Sequence, residues 1–511
     1  KTYMKELQEL VSVITRNKTK SITIIGNGSN DNSKLNRFYH LIYTGQVTSD
    51  DEAFQRLYPN EKSKNSFYKL KHQLKERLYN TTIFINAKKT KFSSRREAFT
   101  ECQFLLALAN NLNALGARRN MLVVCDKVLK IAERYDFTSE RINAAKKKMN
   151  NLVTLGRIKE ANQAATLIES LCELQRKETY AELYWAQIQA MYVLDRSLKP
   201  EIFDIIESRL NKLAEIECSE TSIMLEFHLA ILETAKFMTV NEYASAAEAA
   251  ARGLELMIAR DYLYPTVIYS LTINLIACRI GLRQFHEGEQ ALASLGQFLT
   301  PGKFNWFKAN EIHFILLLHT KQYEKAKTLH QETTGRKDYK DQPAYIQEIW
   351  IIYGAYLRIL ANAGKIPLTT KQKASPFRIR RYLNNLPTFS KDKRGQNIPV
   401  LVSHILLQLQ QGKLEKVDDR LEAIGKYRSR YAGVEKNFRG NVFLHMLNEL
   451  ARANFDRTIT EKKTKKLRAL LDTVPVDVTS QGYDQEVLPY EDTWDLILSA
   501  LPKAVPFRSA A

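Results

Sequence analysis

From about residue 98 onward the chain alternates blocks of apolar residues at helical spacing with short polar turns, and one turn pattern keeps returning. A helix ends, a polar turn often containing Gly follows, then one large apolar residue, and three positions later a small apolar residue opens the next helix. Leu155-Gly156-Arg157-Ile158-Lys159-Glu160-Ala161 shows it, as do Val240-Asn241-Glu242-Tyr243-Ala244-Ser245-Ala246, Gly281-Leu282-Arg283-Gln284-Phe285-His286-Glu287-Gly288, Thr320-Lys321-Gln322-Tyr323-Glu324-Lys325-Ala326 and Gln411-Gly412-Lys413-Leu414-Glu415-Lys416-Val417. Weaker copies lie at 115–121 and 363–367, and a turn of the right kind lies at 195–200. With Met121, Ile158, about Pro200, Tyr243, Phe285, Tyr323, Ile366 and Leu414 as markers, the steps are 37, 42, 43, 42, 38, 43 and 48 residues. Glu311–Leu318 and Thr266–Asn274 are apolar almost all round, the composition of helices packed on both sides. The second of these is rich in β-branched residues and reads as a strand by propensity alone; its place in the repeat assigns it to a helix.

So regular a step, held over eight markers, predicts an all-α chain, an α-solenoid of helical hairpins. Gly enters the turn at low cost, the large apolar residue packs back on the first helix, and the small one lets the second helix approach. The pattern resembles the tetratricopeptide family, where a Gly-x-x-Tyr and later Ala positions have these tasks. The resemblance covers about residues 98–425 and implies an array that binds protein partners along its concave face; the step exceeds the roughly 34 residues of that family, which implies longer helices or looser turns.

Residues 1–97 read differently, as a small mixed α/β domain. Lys5–Thr15 has helical spacing, Ser21–Ile25 alternates like a strand, and Gly26–Ser33 is a turn or loop. Helices are expected over about Lys34–Thr44, after a capping box formed by Ser49 and Glu52 through Leu57, and over Phe67–Leu78, followed by a strand-like run Thr81–Ile85. Three helices, the third basic, and a β-rich tail resemble a winged helix-turn-helix in outline. On the third helix Phe67, Leu70, Leu74 and Leu78 form the core side, while Lys69, Lys71 and Lys75 lie around the rest; a helix dominated by Lys suits phosphate better than base edges. Beyond a repeat region spanning 98–430, residues 431–471 read as capping helices. The last segment, 472–511, reads as an acidic and mostly irregular tail anchored by Trp494 and Leu496 and suited to folding back on a basic surface of the same chain.

Composition is that of an ordinary globular chain, 44 % hydrophobic and 26 % charged. The net charge of +20 is unevenly placed: residues 1–100 carry 19 Lys/Arg against 9 Asp/Glu, residues 371–439 carry 16 against 6, and the remainder balances. The second region contains a basic insertion, 371–397, where the repeat step lengthens to 48. Arg378, Arg380 and Arg381 fan from one short helix there, followed by Lys391, Lys393 and Arg394 on a loop. Further on, Arg428 and Arg430 alternate with Tyr427 and Tyr431, an arrangement suited to phosphates and stacking. Three readings of these charges stand side by side: a solvated surface paired in part with the acidic tail, a site for nucleic acid or another polyanion, and a site for an acidic protein.

Signals for catalysis are poor. Gly26-Asn27-Gly28 with Lys34 lacks the Gly-Lys-Ser/Thr ending of a phosphate loop; His313 and His319 share a helix without a metal-ligand pattern, and no nucleophile motif occurs. Five widely spaced cysteines without a CxxC read as reduced packing residues, no apolar run is long enough to span a bilayer, and the first residues lack the apolar core of a secretory signal. The expectation is a cytoplasmic, non-enzymatic scaffold or adaptor that binds protein partners and uses no cofactor or metal. The alternative is a nucleic-acid-binding adaptor or regulator using the basic N-terminal helix and the insertion.

Overall fold

A tight reversal between helices sets the architecture. In the computed structural model of the protein, which describes residues 33–47, 49–83, 94–194, 199–368, 377–386, 398–431, 439–473, 476 and 486–502, Gly116 shows how the reversal is built. Gly116 takes a left-handed conformation, φ 74°. Its N–H donates to the carbonyl of Asn113 (3.1 Å) and that of Ala117 reaches back to Leu112 (2.9 Å), the two bonds of a Schellman C-cap. Ala117 also begins the next helix, its carbonyl accepting from Met121 N–H at 3.0 Å. One helix is thus closed and another opened without a loose residue between them.

The same pair of bonds closes helices at residues 136, 156, 241, 283, 321, 364, 412 and 454, each with positive φ. Only Gly156, Gly364 and Gly412 among these are glycines; Asp136, Asn241, Arg283, Lys321 and Asn454 accept the left-handed conformation at a cost of roughly 1 kcal/mol. The sequence markers recognised the turn where Gly or a familiar follower stood, and passed over Asp136, whose turn splits what reads as one hairpin step.

The chain forms two compact units, Lys1–Thr166 and Leu167–Ala511. The first contains α1 (Lys34–Tyr43), α2 (Asp50–Leu57), α3 (Asn65–Ile83), α4 (Ser94–Ala114), α5 (Arg118–Arg134) and α6 (Thr138–Thr154), and the division between units falls within α7 (Ile158–Leu194). Ser49 caps α2 as expected, its Oγ accepting from Glu52 N–H at 3.3 Å. Helices α1–α3 close over Phe38, Leu57, Phe67, Leu70 and Leu74. Thr81, Thr82 and Ile83, expected to begin a strand, continue α3 instead: the helix is already propagating, and each further residue adds a hydrogen bond without a new nucleus. The expected helix at 5–15 and strand at 21–25 lie outside the described residues. Among the described residues the protein is all-α, with no strand, so the mixed α/β reading of the N-terminal region finds no support.

The second unit continues with α8 (Lys199–Ala214), α9 (Ile223–Thr239), α10 (Tyr243–Ile258), α11 (Pro265–Gly281), α12 (Phe285–Gly296), α13 (Phe304–His319), α14 (Tyr323–Thr334) and α15 (Ala344–Asn362). It ends with α16 (Ile379–Asn384), α17 (Ile398–Gln410), α18 (Leu414–Tyr431), α19 (Arg439–Arg452), α20 (Arg457–Thr473) and α21 (Tyr490–Ala500). From α8 to α15 each helix packs on the next in sequence, and α9 on α11 and α11 on α13 as well, the contact pattern of stacked hairpins. The β-branched run 266–274 is helical within α11, started by Pro265 in its first turn.

The buried position of the motif is the small residue. Ala161, Ala246, Gly288 and Ala326, each five residues after a left-handed turn residue, are all buried, as are the larger Val417 and Met121 at the same position; Met121, taken as a marker with the large residues, falls at this second position instead. The large residue two after the turn varies: Tyr243 and Ile366 are buried, Phe285, Tyr323 and Leu414 half-buried, and Ile158 is 54 % exposed, contrary to the role expected of it. Approach is close where Tyr243 meets Gly281: a Cβ on Gly281 would stand 2.7 Å from Tyr243 Cδ2. We therefore expect Gly281→Ala to lower the denaturant midpoint by an amount equivalent to roughly 1–3 kcal/mol of overpacking, despite the better helix propensity of Ala. Tyr243→Leu should reduce that penalty in the double variant.

Candidate binding surfaces and the C-terminal segment

A buried arginine organises the C-terminal end of the second unit. Arg439, the first residue of α19, is 1 % exposed and sits where the positive end of the helix dipole disfavours a cation. Carboxylates from elsewhere must compensate it. Its Nε and Nη2 donate to the two oxygens of Glu486 at 2.9 and 2.8 Å, Nη2 also reaches Glu491 Oε2 at 2.6 Å, and Nη1 donates to the Leu471 carbonyl. Glu486 in turn accepts from Tyr490 N–H at 2.7 Å. Burial pushes the Glu486 carboxyl up against the pull of Arg439, whereas the less buried Glu491, once its own desolvation is offset, is held below the usual range by the same guanidinium.

Around this network the C-terminal residues are ordered by packing. Tyr490 stacks on Phe443 with ring centroids 4.3 Å apart, and Trp494 meets the same ring edge-on. Trp494 and Leu496 are buried as expected, but within the segment expected to be mostly irregular Tyr490–Ala500 form a helix. Its first turn carries Glu491 and Asp492, which pair with Arg283 (2.8 Å) and Lys321 (2.9 Å). Those two cations are the left-handed residues of the α11–α12 and α13–α14 turns. His319, at the end of α13, bonds the Glu486 carbonyl through Nε2 at 2.8 Å. Among the described residues the carboxylates of the acidic segment pair with cations of their own chain, the turn residues Arg283 and Lys321 together with Arg439 and Arg468.

A cleft of about 460 Å³ opens between α12, α13 and the start of α14. Leu292, Leu299, Trp306 and Leu317 supply its apolar lining; Glu289, His313, Gln322 and Lys325 supply its polar groups. Gln322 bridges the charged pair, donating to Glu289 at 2.8 Å and accepting from Lys325 at 2.6 Å. The Arg336 guanidinium lies 5.0 Å from the centre of the Trp306 ring and steadies it. Burial lowers the His313 pKa, so this ring faces the cleft uncharged at neutral pH. Neither the half-exposed Trp306 nor the cleft was picked out from sequence, because its residues come from three helices and a loop.

The basic residues singled out from sequence fall in different circumstances. Arg378, Arg380 and Arg381 are exposed at and on α16, which is held by buried Ile379, Tyr382 and Leu386 and by a Tyr382–Ser403 hydroxyl contact of 2.8 Å. Lys391, Lys393 and Arg394 lie outside the described residues. Arg428 and Arg430 are on α18 and Lys75 on α3, with side chains outside the described part. Lys69 is exposed. Lys71 pairs with Asp50 at 2.6 Å, and Lys64 likewise pairs with Asp51, both in the first turn of α2; part of the positive charge of the N-terminal helix is answered within the molecule. Of the five cysteines, all free, Cys102, Cys125 and Cys278 are buried, with burial pushing their thiols up to about 11, 11 and 12; Cys172 is exposed, unlike the buried packing role read for it.

Among the described residues no helix is long and apolar enough to cross a membrane, and no group of three or more His, Cys, Asp or Glu is placed to hold a metal ion. No protein-family model matches the chain, and no curated protein matches it in sequence.

His319 gives a pH-dependent test of the C-terminal contacts. Burial lowers its pKa to about 4, so the folded protein leaves it neutral where an unfolded chain takes up a proton near pH 6.5. The unfolded state binds more protons in that window, and stability falls as pH drops from about 6.5 to about 4. His319→Gln, which keeps a donor for Glu486, should lose less stability over this range than the native protein, by on the order of 2–3 kcal/mol, in unfolding curves taken across pH.

Proposed function

We propose that the protein is a non-enzymatic scaffold or adaptor, tetratricopeptide-like in its repeats, that binds a protein partner through its helical array. The observation that carries this reading is the cleft between α12, α13 and α14. It joins an aromatic and aliphatic lining to a few oriented polar groups, the composition of a recognition pocket, and its aromatic anchor is of the kind that dominates binding energy. Stacked hairpins present such grooves without a catalytic centre. An apolar side chain of the partner fills the space beside Trp306, and a partner carboxylate meets the exposed Lys325 at the rim. A cytoplasmic location fits a chain with free thiols and no membrane-spanning helix among its described residues. The basic region on α16 supports the second reading, contact with nucleic acid, because the three exposed arginines at and on that short helix lack any carboxylate within it.

The test is affinity purification of the full chain from its native host. A stoichiometric protein partner is expected, and Trp306→Ala should weaken its retention by at least tenfold while leaving the melting temperature within a few degrees, as befits a half-exposed anchor whose truncation costs about 2 kcal/mol or more in binding. Recovery of no stoichiometric protein, or undiminished binding by Trp306→Ala, contradicts this reading.

A further inference from the structure

Helix α20 carries a basic surface that charge counting along the chain hides. Between Arg457 and Arg468 there are six Lys/Arg and one acidic residue, but the seven Asp/Glu of 472–501 cancel them in any longer window. The structure separates the two sets. Thr460, Thr464 and Leu471 are buried, and at about 100° per residue they fix the opposite side of the helix as its outer face. Lys462, Lys465 and Lys466 lie on that outer face and Lys463 on its flank, and all four are exposed. They share an arc of roughly 160° that contains no acidic residue, its other members being Thr458, Ile459, Ala469, Leu470 and Thr473.

The carboxylates of the helix and its cap are occupied away from this arc. Glu461 holds Arg457 at 3.0 Å, Asp472 faces Arg468 at 3.5 Å, and Asp456 caps the helix by accepting from Ile459 N–H at 2.8 Å. Lys463 donates to the Arg452 carbonyl at 2.7 Å, which leaves its charge unanswered. Among the described residues no carboxylate forms a salt bridge with any of the four lysines. Four positive charges within little more than one helical turn, on a rigid helix and without counter-charge, form a fixed local field.

We propose that this face of α20 binds the phosphate backbone of duplex nucleic acid. The chemistry of the arc selects among polyanions. Lysine ammonium groups serve as point charges for phosphate, and the arc holds no Arg, Asn or Gln to read base edges, so binding is independent of sequence. It holds no aromatic ring on which unpaired bases stack, which favours a duplex over a single strand. Ile459 and Leu470, the large apolar residues of the arc, are exposed between Lys466 and Lys463; two aliphatic side chains make a small wedge for a lipid surface. The partner-binding cleft has no part in this contact.

The experiment measures binding of the full chain to a short DNA duplex and an RNA duplex by fluorescence anisotropy between about 50 and 200 mM salt. Four phosphate contacts give a slope of log K on log salt of about −3.6, close to a 100-fold loss over that range. The variant with Lys462, Lys463, Lys465 and Lys466 all changed to Gln should bind more weakly at the low-salt end, with a slope reduced by about 3 to 4, and the corresponding four-Arg variant should retain binding. Equal melting temperatures of the variants confirm an intact fold. The proposal is overturned if the native chain fails to bind either duplex at low salt, if the four-Gln variant keeps the native affinity and slope, or if single strands bind more tightly than duplexes. Binding to mixed phosphatidylcholine and phosphatidylserine vesicles, with none to duplexes, also overturns it and reassigns the face to a membrane surface.

Discussion

Everything at the C-terminal end of the second unit depends on keeping one guanidinium out of water. Removing an arginine from solvent costs several kcal/mol unless its donors are matched by well-placed acceptors, and Arg439 is matched by Glu486, Glu491 and the Leu471 carbonyl. Two of these come from a segment far along the chain, so α19 cannot take up its position without α21. The same segment extends the constraint to the repeats through His319, Arg283 and Lys321. The ion pairs of Arg283 and Lys321 contribute little singly; they set where the acidic helix lies, while the buried network and the rings of Phe443, Tyr490 and Trp494 hold it there.

This arrangement accounts for an oddity of the turns. A left-handed residue is least costly as Gly, and Gly116, Gly156, Gly364 and Gly412 follow that rule. Arg283 and Lys321 do not, and they are the two turn residues whose side chains reach the first turn of α21. Local strain of roughly 1 kcal/mol at each is tolerated where the side chain has a second task. The packing seams show the reverse economy of means, with small residues such as Ala246 and Gly288 at most of the positions where two helices close in.

Much of the helical array was legible in the sequence because its signal is local. The turn and the small residue five positions after its left-handed residue lie within one short stretch, and the regular step repeats that stretch often enough to outweigh the β-branched run in α11. What escaped detection is assembled from afar. Arg439 entered only as one charge in the count over 371–439, since nothing beside it in sequence shows that it is buried. The lysines of α20 disappeared into the sum with the acidic segment that follows. The cleft draws on three helices, and the turn at Asp136 has neither a glycine nor the large-then-small apolar pair that marked the recognised turns. Thr81–Ile83 went wrong in the opposite direction, where local β-propensity was overridden by a helix already under way.

The buried network is tested most directly by a double-mutant cycle on Arg439→Met and Glu486→Gln, followed by denaturant unfolding at neutral pH. If Arg439 depends on Glu486 for its burial, each single variant loses roughly 3–5 kcal/mol, and the double variant loses much less than their sum, with a coupling of about 2 kcal/mol or more. Additive losses would mean that the two side chains are stabilised independently, and would contradict the account of the C-terminal segment given above.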